Sequence, residues 1–415
     1  MSMRERIKWA ANEQAAARRE VSSQAAAASL SLLTTEQVAR VSTFHASIPE
    51  YEPTPLVRLD GLAAQLGLKS LYVKDESYRF GLNAFKVLGG SYAVARHIAE
   101  RLGRDIAELP YAELVSPATR AAVGQITFYS ATDGNHGRGV AWAANRLGQK
   151  SVICMPVGSS QIRLENIRSE GATATITDMN YDEAVLYVKE LAENDPNGVV
   201  VQDTDWPGYT QIPGWIMQGY ATLAAEADMQ LHADGVSCPT HVFVQAGVGA
   251  FAGAVQGYFA NAYGEDCPIT TVVEAAAYDC LFRSVLAGEL VAASGEWDTI
   301  MAGLACGEGC GVSWEVLHEK ARFFTSAPDW VSARGMRMLA APPAGDAPVK
   351  SGESGAVGVG LVATLMLEDE YHKLREAMGL GADSVVLCVS TEGDTDPQRY
   401  RDIVWDGYCP SGNWD

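Results

Sequence analysis

Lys86 is the first residue whose type and setting could support catalysis. It lies in the segment GLNAFKVLGGSYAVA, near the start of a predicted helix and between the apolar residues Phe85 and Val87. The helix dipole and the loss of solvent both disfavour the ammonium form of a lysine in such a position. A lysine that is easily neutral can attack a carbonyl group and form a Schiff base. A surface lysine whose stem covers apolar neighbours is the competing interpretation.

A glycine-rich turn follows the strand-like run HVFVQ and precedes another predicted helix. It contains Gly247, Val248 and Gly249, and Gly253 follows them. Bare backbone N–H groups at the positive end of a helix can bind a phosphate. A dinucleotide site is the main alternative, because Glu274 ends the next strand, although the last glycine comes one residue later than that pattern requires. Tight packing of the strand on the helix is a third interpretation.

A second glycine-rich turn, SATDGNHGRG, also leads directly into a predicted helix. Asn135 and the surrounding backbone N–H groups could hold a ring substituent and a carboxylate. Asp133 places an acid in the same turn, where it could act on a ligand. Since Asp is a favoured residue at helix N-termini, a capping role explains it equally well.

Parallel sheets are the elements that must position these residues, because strand-like and helical runs alternate along the chain. Ligands of such sheets bind beyond the carboxyl ends of the strands, and the glycine-rich turns lie there. The first thirty residues are predicted to form a helix or a loose arm, and 341–356 a loop. We expect crossover helices at 84–103, 137–148 and 160–171, and strands at 70–75, 125–132, 150–156, 173–178, 198–203, 241–247, 270–275 and 384–391.

Composition narrows the class of protein further. The 415 residues are enough for one large or two medium domains, and 47% of them are hydrophobic. A formal net charge of −20 argues against nucleic-acid and anionic-membrane partners. No segment has the length of uncharged apolar residues that a membrane helix needs. The eight cysteines show no disulfide or zinc spacing, which favours a reducing cytoplasm, and Cys280 and Cys306 are predicted to be buried thiols.

The order of these features resembles the fold-type II enzymes that use pyridoxal phosphate, which include the serine and threonine dehydratases and the β subunit of tryptophan synthase. The shared features are the lysine, the Gly-Asn-His turn, the phosphate loop and a Ser-Thr pair after the late strand SVVLCVST. Those families usually have Ser or Thr where this chain has Asp133. Within the group, GLNAFKVLGGSYA, SATDGNHGRGVAWAA, VVQDTDW and STEGDTD are similar to the diaminopropionate ammonia-lyases, over about residues 52–405.

The resemblance implies a fold and a reaction. The fold would be α/β, with two open, twisted, mostly parallel sheets and flanking helices, as in the tryptophan synthase β subunit. Residues 1–85 and 215–415 would form a large cofactor-binding domain, and 86–214 a smaller substrate-side domain inserted in it. The enzyme would use pyridoxal 5′-phosphate, without a metal, to eliminate ammonia from D- and L-2,3-diaminopropionate, giving pyruvate and two ammonia. It would be a cytoplasmic homodimer that acts on a small amino acid.

The resemblance also implies roles for individual residues. Lys86 would carry the cofactor and act as the base for the L-isomer, and Asp133 would be the base for the D-isomer. Asp203, with Asp205 as the alternative, would hold the substrate's β-ammonium group. The cofactor would be bound by Lys86, Asn135, Gly247, Val248, Gly249 and Gly253, with Ser390 or Thr391 at its ring nitrogen and Glu353 and Ser354 as further candidates.

Two alternative functions remain open at this point. A serine or threonine dehydratase would share the fold, but would not need acids at Asp133 and Asp203. A nicotinamide-dependent oxidoreductase could use the loop at Gly247, but would leave Lys86 and the Asn135 turn unexplained.

Overall fold

Two β-sheets form the frame of the protein. In the computed structural model, which describes residues 5–13, 15, 23–132, 134–293 and 298–410, eleven strands are present. They are β1 (Lys8–Ala11), β2 (Leu56–Arg58), β3 (Ser70–Asp75), β4 (Thr127–Ala131), β5 (Lys150–Met155), β6 (Thr173–Ile176), β7 (Gly198–Val200), β8 (His241–Gln245), β9 (Ile269–Ala275), β10 (Phe323–Ala327) and β11 (Val385–Ser390).

Helices cover both sheets and connect most of the strands. They are α1 (Gln24–Ser31), α2 (Thr35–Ala46), α3 (Asp60–Leu66), α4 (Val87–Arg101), α5 (Tyr111–Leu114), α6 (Pro117–Val123), α7 (Asn135–Arg146), α8 (Gln161–Ser169), α9 (Tyr181–Glu193), α10 (Gln211–Ala233), α11 (Ala250–Tyr263), α12 (Cys280–Ala287), α13 (Gly311–Lys320), α14 (Asp329–Ala340), α15 (Val357–Leu367), α16 (His372–Met378) and α17 (Pro397–Val404). In this part of the chain, no helix is both long and apolar enough to cross a bilayer.

The larger sheet has seven strands in the order β1-β10-β9-β8-β11-β3-β2, and the smaller has the order β6-β5-β4-β7. All pairs are parallel except β1 with β10 and β2 with β3. The predicted α/β class with two mostly parallel sheets is therefore confirmed. Every strand of the smaller sheet lies within residues 86–214, and every strand of the larger sheet lies outside them. The domain boundaries themselves stay a prediction.

The amino-terminal segment differs from the prediction of a helix or loose arm. Residues 8–11 form the edge strand β1, in which Lys8 lies opposite Ser326 and Ala11 lies opposite Phe323. Only four residues pair, too few to show the alternation that identifies a strand. The helix α1 follows later in the same segment. The loop predicted at 341–356 is confirmed between α14 and α15.

Close contacts between helices bring the predicted site residues together. Helix α4 packs on α7 and α10 through glycines, and a Cβ atom on Gly219 would lie 2.4 Å from the Leu88 carbonyl oxygen. A Cβ atom on Gly139 would lie 2.8 Å from the Cα of Val87. No larger residue fits at these positions without moving a backbone. The start of α4, which follows Lys86, is thereby held against the helix that begins at Asn135.

Candidate active site

A cavity lies at the carboxyl ends of β8 and β11. This is the edge at which ligands of open α/β sheets bind. Both sheets contribute to its wall, the larger through β8 and β11 and the smaller through the turn after β4. It is lined by Phe85, Lys86, Asn135, Asp203, Tyr220, Gln245, Ala246, Gly247, Val248, Gly249, Ala250, Phe251, Gly303, Leu304, Ser354, Thr391 and Glu392.

Lys86 and Asp203 form an ion pair in this cavity, with 2.8 Å between Nζ and Oδ2. Burial alone would raise the pKa of Asp203, but the charges of Lys86 and His136 outweigh it and lower the pKa to about 2. The partly buried setting predicted for the lysine is present, since its side chain is 18% exposed. An acidic partner at hydrogen-bonding distance was not predicted, and it favours the ammonium form. The pair therefore holds a fixed anion beside the amine of Lys86.

The backbone fixes Lys86 relative to the end of β11. An isolated bridge joins Ala84 to Glu392, and the Phe85 N–H donates to the Thr391 carbonyl at 3.1 Å. Lys86 follows at the N-cap position of α4. The lysine is thus positioned by two elements that are far apart in the sequence.

The turn between β8 and α11 has the properties of an anion site. Gly249 has a φ of +94° at the N-cap of α11, a conformation that glycine adopts without strain. Within the described residues, the N–H groups of 247–250 have no protein acceptor. They lie at the positive end of a helix, where a phosphate is favoured. Gly247 also needs its small size, because a Cβ atom there would lie 3.0 Å from Cys306 Sγ.

Gly253 lies elsewhere, one turn inside α11. Its N–H donates to the Gly249 carbonyl at 2.8 Å, and a Cβ atom would lie 2.8 Å from that of Ser313. The structure therefore gives Gly253 a packing position against α13. Its predicted contact with a cofactor stays a prediction, and the geometry lends it no support.

The second turn brings Asn135 to the cavity wall as the first residue of α7. Its Nδ2 donates to Glu392 Oε2 at 2.6 Å, and the next residue, His136, bonds the Val201 carbonyl through Nε2 at 2.9 Å. Asp133 lies outside the described residues, so its predicted role as a base stays a prediction.

The two hydroxyls after β11 are separated by the structure. Thr391 lines the cavity and accepts from Gln245 Nε2 at 3.0 Å, which leaves its own proton for another partner. Ser390 donates to Ser351 Oγ at 2.8 Å, and it is not one of the lining residues. Of the two candidates for a ring nitrogen, the geometry favours Thr391.

Two further acids have distinct positions. Asp205 accepts from the Gly311 N–H at the start of α13, so it stabilises that helix end rather than lining the cavity. Glu274 accepts from the N–H groups of Leu281 and Phe282 at 2.8 and 2.6 Å. It therefore faces the start of α12, although a dinucleotide site would need it for a ribose.

The predicted residues at 353–354 are both buried, and Ser354 lines the cavity. Its Oγ accepts from the Gly303 N–H at 3.1 Å. Burial, and next the charge of Glu392, raise the pKa of Glu353 to about 7. Of the two thiols predicted to be buried, Cys280 is, whereas Cys306 is only partly buried beside Gly247.

Sequence reasoning missed Gln245, Glu392 and Tyr220 in the cavity wall. Gln245 is a polar residue at the end of the apolar strand HVFVQ, and such a residue signals a site at a strand end. Tyr220 lies inside the buried helix α10 with its ring 4.7 Å from that of Phe85. Its buried hydroxyl has no hydrogen-bond partner among the described residues. A ligand with polar groups would satisfy it.

Pyridoxal phosphate fits these residues. The cavity offers an amine at Lys86, an amide at Asn135, a hydroxyl at Thr391 and bare N–H groups at a helix start, while Phe85 and Phe251 add apolar wall. These groups are the partners that an aldehyde, a ring hydroxyl, a ring nitrogen and a phosphate require, in that order. Fold and site together define a pyridoxal phosphate-dependent enzyme of fold type II.

Comparisons with known proteins agree with this class. The family described as "Pyridoxal-phosphate dependent enzyme" matches residues 48–392. A Diaminopropionate ammonia-lyase from Salmonella typhimurium is 50% identical over 383 residues, which are 92% of this chain and 95% of that protein. The chain therefore belongs to the pyridoxal-phosphate dependent enzyme family, in the branch that contains the diaminopropionate ammonia-lyases.

Two crystal structures of Diaminopropionate ammonia lyase from Escherichia coli are similar over nearly their full length. One is in complex with D-serine, with 46% identity, a TM-score of 0.89 and 98% of each chain covered. The other is in complex with an aminoacrylate-PLP azomethine reaction intermediate, with 46% identity, a TM-score of 0.87, and 97% of this chain and 98% of that chain covered.

Proposed function

We propose that this protein is a carbon–nitrogen lyase that converts 2,3-diaminopropionate, as the D- and the L-isomer, to pyruvate and two ammonia. The observation that carries the proposal is the buried carboxylate of Asp203 beside Lys86, in a chain half identical to a protein named for this activity. A buried anion suits a substrate whose leaving group is an ammonium.

The chain's own groups divide the work of binding and proton transfer. Backbone N–H groups at 247–250 would hold the phosphate, and Thr391 and Asn135 would contact the ring. Asp203 holds the β-ammonium group and keeps it positioned for departure. When bound, the cofactor supplies an electron sink for the negative charge that develops at the substrate's α-carbon.

Proton removal differs between the isomers because their α-hydrogens lie on opposite faces. Lys86 Nζ takes the proton of the L-isomer, and the Asp133 carboxylate takes that of the D-isomer. A serine or threonine in the place of Asp133 would be a much weaker base, since its hydroxyl hardly ionises near neutrality. The acid in this turn thereby extends the reaction to the second isomer.

The alternatives explain fewer residues. The substrate of a serine or threonine dehydratase loses a hydroxyl group, so it has no β-ammonium group for Asp203 to hold. A nicotinamide-dependent oxidoreductase would use Glu274 for a ribose, but that carboxylate accepts from the backbone of α12. Neither alternative is favoured.

Covalent labelling tests the proposal. After borohydride reduction of the protein with pyridoxal phosphate, mass spectrometry should find the pyridoxyl group on the peptide that contains Lys86, and Lys86→Ala should abolish label and turnover. Lys74 is the internal control, because it is also buried but engages Glu226 at 2.7 Å. Label on Lys74, or turnover of neither isomer by the wild type, would contradict the proposal.

The assembly and the compartment are also proposals. We infer a homodimer from the resemblance to enzymes of this fold type, and a cytoplasmic location from the cysteines. All eight cysteines are free thiols, as a reducing compartment requires. Light scattering during size-exclusion chromatography should give twice the 44.3 kDa of one chain.

A further inference from the structure

The loop after β11 reaches across the cavity to the smaller sheet's side of the molecule. Besides the bond from Asn135 to Glu392, Ser160 Oγ donates to Asp396 Oδ2 at 2.9 Å. Arg163, near the start of α8, lies 3.5 Å from Thr395 Oγ1. This loop therefore joins the two halves of the molecule beside the site.

Glu392 accepts three hydrogen bonds in this loop. Its Oε2 accepts from Asn135 Nδ2 at 2.6 Å and from Thr395 Oγ1 at 3.2 Å, and its Oε1 accepts from the Ser354 N–H at 3.2 Å. The Ser354 N–H can only donate, so Oε1 is an acceptor, and the Asn135 amide and the Thr395 hydroxyl donate to Oε2. The residue is 1% exposed, so these protein groups are its main partners.

The carboxylate of Glu392 decides which way the Asn135 amide points. Only Nδ2 can donate to a carboxylate, so Oδ1 is turned away from Glu392. A neutral partner at 392 could donate instead and would accept the reverse orientation. Burial, and next the charge of Glu392, raise the pKa of the neighbouring Glu353, on which the charges of Arg163 and Asp396 also act.

We propose that Glu392 is a positioning residue, whose carboxylate fixes the Asn135 amide so that it offers the cofactor ring one defined set of atoms. The inference rests on the proposed function, because it needs Asn135 to contact the cofactor. Glu392 follows a strand of the larger sheet, whereas Asn135 follows a strand of the smaller sheet. The Asn135 amide is therefore oriented only while the two sheets keep this relative position.

The variant Glu392→Gln tests this role. The glutamine amide has one acceptor oxygen and one NH2 group. Its oxygen should face the Ser354 N–H, which can only donate, so its NH2 group should face Asn135. The Asn135 amide should then rotate so that its oxygen accepts from this NH2 group. Titration of the cofactor-free enzyme with pyridoxal phosphate should show about tenfold weaker binding, as expected for the loss of a hydrogen bond to a charged group. The pH midpoint of the bound cofactor's visible absorption should shift by about one unit.

Two further variants separate positioning from a general effect of charge. Asp396→Asn removes the charge of another acid in the same loop, which accepts from Ser160 and not from Asn135, so affinity and midpoint should stay near the wild-type values. In an Asn135→Ala background, Glu392→Gln should add no further change, because the residue through which it acts is gone.

The outcomes are distinguishable. Wild-type affinity and midpoint in Glu392→Gln, or an equal change in the Asn135→Ala background, would overturn the role of Glu392. A wild-type protein that binds no pyridoxal phosphate would instead overturn the proposed function. If Glu392→Gln does not fold, Glu392→Asp withdraws the carboxylate by one methylene, and the same cycle with Asn135→Ala gives the same decision.

Discussion

At the scale of single residues, acids in and near the site differ in pKa because their surroundings differ. Asp203 is ionised at neutral pH, because the charges of Lys86 and His136 outweigh its burial and lower its pKa to about 2. Glu353 lies behind the cavity wall, where burial, and next the charge of Glu392, raise its pKa to about 7. The two carboxyls therefore differ in charge near neutrality because their surroundings differ.

Replacing Asp203 should change substrate preference. Asp203→Asn keeps the size but removes the charge, so it should lower kcat/KM for 2,3-diaminopropionate by about 10- to 100-fold, the effect of losing a hydrogen bond to a charged group. Serine has no β-ammonium group, so kcat/KM for serine should fall much less. Steady-state kinetics on both substrates with the same preparation gives the ratio. An equal loss on both would assign Asp203 to the support of Lys86 alone.

Replacing Asp133 should act on the two isomers unequally. Asp133→Asn keeps the size of the side chain but takes no proton at neutral pH. General-base catalysis contributes about 10²–10⁴-fold, so turnover of the D-isomer should fall by that order, while the L-isomer falls much less. Kinetics on both isomers, with a melting curve of the variant, measures this. A capping role predicts a stability loss of about 1 kcal/mol and equal activity on both isomers.

At the scale of elements, we expect the turn before α11 to bind the phosphate of the cofactor through its backbone N–H groups. Gly249→Asp should weaken the affinity for pyridoxal phosphate, because it adds a like charge and a Cβ atom 2.9 Å from Ser313 Oγ. Gly288→Asp is the matched control: its φ of +78° resembles the +94° of Gly249, but its Cβ atom would meet open space. Fluorescence titration of both variants should show a loss only for Gly249→Asp. Equal affinities would place the phosphate elsewhere.

Elements were predictable from the sequence where their pattern is long. The run VVLCVS gives β11 and HVFVQ gives β8, because mostly apolar runs of six and five residues before a turn have few alternatives in an alternating chain. The strand β1 has four residues and an antiparallel partner more than 300 positions away, which no local pattern reveals. Its pairing depends on tertiary contact.

The site was predictable in its components but not in its orientation. Successive residues after a strand point in different directions, so the order Ser390-Thr391 alone did not decide which hydroxyl enters the cavity. Asp203 and Asp205 differ in the same way, and only the fold places one beside Lys86 and the other at α13. Glu392 follows Thr391 directly, but its bond to Asn135 spans 257 positions.

At the scale of the whole molecule, a buried charge network joins β3 to the long helix α10. Glu226 of α10 lies 2.7 Å from Lys74 Nζ and 2.7 Å from Arg79 Nη2, and it also accepts from Tyr51 Oη at 2.6 Å. Glu76 adds a second acid, 2.9 Å from Arg79. All four charged side chains are at most 1% exposed, so the two cations and two anions balance without solvent.

Removing one charge from this network should destabilise the entire protein. Glu226→Gln leaves a buried positive charge without compensation, and breaking such a pair costs about 3–5 kcal/mol. Glu165→Gln is the control, because its bond to Arg168 is on the surface, with the two side chains 57% and 44% exposed, and such pairs contribute about 0–1 kcal/mol. Denaturant unfolding of both cofactor-free variants measures the free energy of unfolding. Equal losses would show that the network is solvated.

The same network predicts how stability responds to acid. Burial would raise the pKa of Glu226, but Arg79 and then Lys74 outweigh it and lower the pKa from 4.5 to about 2. A carboxyl with a depressed native pKa stabilises the fold fully above its unfolded value, and this contribution is lost as the pH falls from about 4.5 towards 2. In that interval the wild type should lose stability faster than Glu226→Gln, so the gap between their unfolding free energies should narrow. A gap that stays constant from pH 7 to pH 3 would mean that Glu226 is not the group whose charge connects α10 to β3.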